Sequence, residues 1–143
     1  MTASLLDERS SALVTALREG LDRERRLIRS YRQHLLLAGS PQVRQVLELG
    51  LALKRRHETE LEHMLSAAGG SYARDGIGAV SLPGPREVLT WYYEQEQVLA
   101  LRYRESGRLT DDPNVRLVLD RLGADQIEHV ARLKSVYRGF STA

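Results

Sequence analysis

Apolar residues recur along this chain with the period of a helix and not of a strand. Leu6, Leu13, Leu17, Leu21, Ile28, Tyr31 and Leu35 fall on one stripe, which predicts an amphipathic helix over about residues 4–37. Gly39, Ser40 and Pro41 interrupt it, with Ser40 suited to an N-cap and Pro41 to the first position of a second helix. That helix carries Val43, Val46, Gly50, Leu61 and Met64 on its inner stripe and ends near Ala68, where Gly69 and Gly70 follow. Residues 69–84, with Gly76, Gly78, Pro83 and Gly84, have no period and read as a connection. Pro85 opens a third helix, through about Glu105, with Leu89, Tyr92, Tyr93, Ala100 and Tyr103 inward. Asp112 and Pro113 repeat the Ser40–Pro41 signal, and the fourth helix brings Val115, Val118, Leu122, Leu133, Val136 and Phe140 onto one face.

The pattern also repeats itself. A shift of 72 residues lays Glu24 on Glu96, Tyr31 on Tyr103, Pro41 on Pro113 and His57 on His129 without a gap. About thirteen of about forty-five aligned positions coincide, including Leu17/Leu89, Leu27/Leu99, Val43/Val115 and Leu61/Leu133, which reads as an internal duplication. The predicted architecture is therefore an all-α, antiparallel four-helix bundle. It is built from two duplicated helix hairpins, 4–68 and 85–138, joined by a crossover over 69–84 in one domain spanning 1–143. A second helix of about 28 residues is about 42 Å long, and an extended connection of about 16 residues reaches about 53 Å. The crossover can thus traverse the bundle and set the third helix parallel to the second.

The inner stripes are not wholly apolar. At about 100° per residue, Glu24 and Glu96 lie within the core faces of the first and third helices, and His57 and His129 within those of the second and fourth. Lys54 and Gln126 sit one turn before each histidine, Asp125 lies beside Gln126, and Glu60 stands at the edge of the stripe, about 60° from His57. His63 and Glu128 fall on the outer surface. A buried carboxylate needs a partner or a cation, so convergence of two Glu and two His demands charge balance.

Composition narrows the chemistry that can supply it. The absence of cysteine excludes disulfides, thiolate catalysis and Cys-ligated zinc or iron–sulfur centres. No nucleophilic triad or Gly-rich phosphate loop is present, and four histidines are too few for a hemerythrin-type site. A formal charge of +2 does not argue for nucleic acid, and the cluster Arg23, Arg25, Arg26, Arg29, Arg32 reads as a solvated helix face. Neither a leader nor a membrane-spanning run is apparent, so a soluble, cytoplasmic protein is expected.

On these residues the chain resembles the ferritin-like superfamily, particularly bundles of the rubrerythrin and bacterioferritin type. In that family the first and third helices each give a Glu with an inward Tyr two turns later, matched here by Glu24 with Tyr31 and Glu96 with Tyr103. The second and fourth each give a Glu-x-x-His pair; His57 and His129 match the histidines, but Lys54 and Gln126 stand where the bridging glutamates belong.

Two functions follow. One is a metal-binding protein with iron, as a di-iron or mononuclear centre, or manganese at mid-bundle, in an oxidase- or peroxidase-type redox or stress role. The resemblance then implies Glu24, His57, Glu96 and His129 as ligands, with Glu60 and Asp125 completing the set and Tyr31 and Tyr103 hydrogen-bonding behind them. The other is a metal-free structural or interaction module, in which Lys54 neutralises the carboxylates and joins Gln126 and the histidines in a buried network. In either case Leu36, Leu37, Leu49 and Leu51 on the outer faces of the first two helices suggest a homodimer, and a redox partner is not specified.

Overall fold

The computed structural model describes residues 5–70 and 78–141, with side chains over 10–70 and 78–139. Four helices account for the fold of the described residues: α1 (Leu5–Leu37), α2 (Pro41–Ala67), α3 (Pro85–Gly107) and α4 (Pro113–Ser141). The predicted boundaries agree to within three residues, the largest difference being the end of α4 at Ser141 against 138. Ser4 and Gly76, and the side chains of Leu6 and Phe140, lie outside what is described.

The helix ends are set by the local chemistry that marked them in sequence. Ser40 has extended backbone and its Oγ accepts from the Val43 N–H, with Pro41 following in the first turn. At the other end of α2, Gly69 adopts a φ of 79°, the left-handed region that a side chain disfavours. Its N–H donates to Ser66 O and the Gly70 N–H to Leu65 O, the paired bonds of a Schellman stop. Asp112 caps α4 by accepting from the Asn114 and Val115 N–H groups at Oδ1.

Helix directions follow from the side-chain pairs. Glu24 meets Tyr103 while Tyr31 meets Glu96, so α1 and α3 run antiparallel. Lys54 meets Gln126 and His57 meets Asp125, so α2 and α4 do likewise. Because α1 and α2 form a hairpin, α2 and α3 are parallel, as the long crossover predicted. The described end of that connection is tied to α1: the Val80 N–H donates to Ser30 Oγ and the Leu82 N–H to His34 Nε2.

An apolar cluster fills the interior. Leu17, Leu21, Leu47, Leu61, Leu89, Leu99, Leu119 and Leu133 are essentially inaccessible, drawn from all four helices. Leu36, Leu37 and Leu49 remain exposed, whereas Leu51 is half-buried against the core and is not a surface residue as expected. Among the described residues no helix is long and apolar enough to cross a membrane.

Candidate functional site

The inward polar residues meet at mid-bundle. Glu24, Lys54, Glu96, Gln126 and His129 have no exposed surface, and His57 has 1%. Lys54 lies at the centre. Its Nζ donates to Glu24 Oε1 at 3.1 Å, to Glu96 Oε1 at 2.7 Å and to Gln126 Oε1, so all three ammonium protons have acceptors. The Gln126 amide donates in turn to Glu96 Oε1 at 2.9 Å and to the Glu96 carbonyl at 3.0 Å. Lys54 and Gln126, which occupy equivalent places in the two hairpins, therefore touch across the middle of the bundle.

Around this centre the contacts recur in pairs. Tyr31 donates to Glu96 Oε2 at 2.8 Å, and Tyr103 donates to Glu24 Oε1. Each tyrosine serves the glutamate of the other hairpin, a consequence of antiparallel α1 and α3. His57 Nδ1 lies 3.4 Å from Glu24 Oε1, and His129 Nε2 the same distance from Glu96 Oε2. His129 Nε2 is also 2.8 Å from the Tyr31 hydroxyl. Room for this corner comes from Gly50: a Cβ there would stand 2.5 Å from Tyr31 Cζ and 2.8 Å from His129 Nε2. Tyr31 stacks on Tyr92, whose hydroxyl is 2.7 Å from His34 Nδ1, extending the polar array toward the crossover.

The electrostatics follow from burial and from Lys54. Burial alone would raise the Glu96 carboxyl, but the Lys54 ammonium and the hydrogen bonds from Gln126 and Lys54 outweigh it and hold Glu96 below its ordinary value. Tyr31 and Tyr103 are pushed well above the usual phenol range by burial and then by the neighbouring carboxylates. Burial likewise lowers His129 to about 4, so its ring is neutral. With Nε2 facing Tyr31 and Glu96, its Nδ1 is buried without a partner among the described residues, as is Glu24 Oε2.

The two outer candidates separate from the centre. Asp125, 41% exposed, accepts from His57 Nε2 at 3.1 Å and connects to the cluster through that ring. Glu60, 39% exposed, has its carboxylate 3.9 Å from Arg121 at the surface and does not join the inner set. Its position at the stripe edge let it turn outward, where the guanidinium lies. His63 and Glu128 are exposed, as predicted. His34 and Tyr92 went unrecognised as a buried polar pair; His34 falls three residues after Tyr31, and that spacing was the available signal.

A dinuclear metal group does not fit these residues. The positions that would bridge two cations hold an ammonium and an amide, and Lys54 Nζ lies within hydrogen-bonding distance of both inner carboxylates. Among the described residues no three His, Asp or Glu side chains form a group able to hold a metal ion.

Comparison with known proteins is informative at the level of fold. No protein-family model matches the sequence, and no curated protein does. Among solved structures, one from Bacillus anthracis described as a ferritin-like, diiron-carboxylate protein superposes with a TM-score of 0.80. It is 20% identical, over 90% of this chain and 97% of that one. The fold is ferritin-like. A conserved hypothetical protein from Mycobacterium tuberculosis is similar at TM-score 0.80 and 18% identity, covering 90% of this chain and 92% of that one. A two-domain protein from Anabaena variabilis, with DJ-1/ThiJ/PfpI-like and ferritin-like domains, matches at TM-score 0.77 and 17% identity. This chain contributes 94% of its length to that match and covers 38% of the larger protein.

Proposed function

We propose that this protein is a metal-independent ferritin-like bundle, a structural or interaction module whose interior carboxylates are neutralised by Lys54. The observation that carries the reading is the ammonium's three hydrogen bonds to Glu24, Glu96 and Gln126. A cation placed between the two glutamates would have to displace that ammonium, and a buried, unpaired ammonium is itself costly. The module is expected to act as a homodimer through the outer face of α1 and α2, where Leu36, Leu37 and Leu49 are 87%, 70% and 43% exposed.

A second reading retains iron or manganese as a single ion and has one observation in its favour. Glu24 Oε2 is buried without a hydrogen-bond partner among the described residues, and buried polar atoms of this kind are rare in native proteins. In that reading Glu24, His57, Glu96 and His129 would hold the ion in place of the Lys54 ammonium. The diiron-carboxylate description of the Bacillus anthracis protein lends it support by analogy of fold.

Elemental analysis separates the two. Protein purified from medium supplemented with iron and manganese is expected to carry neither in stoichiometric amount, and added Fe(II) or Mn(II) should leave the melting temperature unchanged. Stoichiometric metal that disappears in the His57→Ala, His129→Ala double variant would overturn the metal-independent reading.

A further inference from the structure

A groove on the outside of the bundle, between α1 and α3, encloses about 320 Å³, within the range of small-molecule sites. It is where the arginine-rich run of α1 stops behaving as a uniform solvated face. Arg25 turns toward α2 and pairs with Glu58 at 2.8 Å and with Glu62. Arg23 and Arg26 instead line the groove, opposite Trp91 and Arg102 of α3.

Three features of this groove point to a ligand. The Arg26 guanidinium carbon lies 5.9 Å from the centre of the Trp91 ring, while the Arg26 Nε is buried and has no hydrogen-bond partner among the described residues. A buried donor with no acceptor is destabilising, so this guanidinium is not fully satisfied by the protein's own groups. The guanidiniums also crowd one another: Arg23 is held below its ordinary value by burial first, then by Arg102 and, more weakly, by Arg26. Glu19, which holds Arg102 at 3.1 Å, and Asp22 offset only part of that charge. Finally, the volume far exceeds what a bare inorganic anion needs, and the indole supplies a flat apolar wall.

We propose that this groove binds a small aromatic anion, a planar ring bearing a carboxylate or a phosphate. The ring packs on Trp91, and the anionic group faces the guanidiniums of Arg23, Arg26 and Arg102. The inference is independent of the Lys54 cluster, which lies inside the bundle.

Trp91 is the only tryptophan of the chain, so its fluorescence reports on the groove directly. The full chain would be titrated with benzoate, adenosine 5′-monophosphate, adenosine and inorganic phosphate, with calorimetry on the same samples. A saturable change is expected with at least one aromatic anion, with adenosine and inorganic phosphate weaker by about tenfold or more. Binding of benzoate alone identifies a carboxylate ligand, and of the nucleotide alone a phosphate ligand. Arg26→Gln and Arg102→Gln should each weaken binding by about tenfold while leaving the helical circular dichroism unchanged. Should either fail to fold, Arg23→Gln carries the same test. The proposal is overturned by no saturable response to either anion in both measurements, by equal affinity for neutral adenosine, or by wild-type affinity in the arginine variants.

Discussion

An ammonium is tolerated in the middle of this bundle because each of its protons has an acceptor, and the carboxylates depend on it in return. Lys54→Met keeps the length of the side chain but strands Glu24 and Glu96. A loss of about 3–5 kcal/mol is expected, read as a lower urea midpoint. The reverse experiment is more diagnostic. Lys54→Glu with Gln126→Glu places carboxylates at both central positions, so the double variant should be unstable alone and regain stability with Fe(II), Mn(II) or Zn(II). With metal at about a hundredfold over its dissociation constant the gain is about 2.7 kcal/mol, measurable as a shift in melting temperature. At this scale the sequence was legible as to direction and not as to reach. Helical angles sent Glu24, His57, Glu96 and His129 inward, as the fold has them, because each lies mid-stripe. For Glu60 and Asp125, at or beside a stripe edge, the outcome rested on which neighbour waited across the helix: Arg121 for one, His57 for the other. Lys54 was legible as an inward charge, but its simultaneous grip on two glutamates from other helices is tertiary information.

Among the elements, the four helices and their stops were readable because the signals are local. Serine or aspartate before proline, and paired glycines after a periodic run, act through their own backbone neighbours. The His34–Tyr92 pair was not, because the group that fixes His34 Nε2 is the backbone N–H of Leu82, in a segment with no periodicity. That bond and the one from Val80 to Ser30 Oγ strap the crossover onto α1. Ser30→Ala combined with His34→Phe should release this strap while leaving the central cluster in place. Hydrogen exchange is then expected to quicken at Val80 and Leu82 and to stay slow along the inner faces of α2 and α4. Uniform acceleration across all four helices would show that the strap supports the whole bundle.

For the molecule as a whole, the buried titratable groups set the response to acid. His129 takes up a proton near 6.5 when unfolded but near 4 in the fold, so between those values the unfolded state binds more protons. Stability therefore falls as pH drops from about 6.5 to about 4. Glu96, held below its ordinary value of 4.5, adds a contribution that is present above that value and lost as pH falls through its folded value. Urea midpoints should decline across this window, and His129→Gln should reduce the upper part of the decline, leaving what His34, also lowered by burial, contributes; a flat profile in the parent would mean that the rings are not buried neutral. Lys54 and Lys134 are the only lysines of the chain, and only Lys134 is exposed. Amine-directed acylation of the native protein should accordingly modify Lys134 and spare Lys54 until the four helices separate. The rate at which Lys54 becomes acylated would then serve as a clock for complete opening of the fold, readable by mass spectrometry without any denaturant.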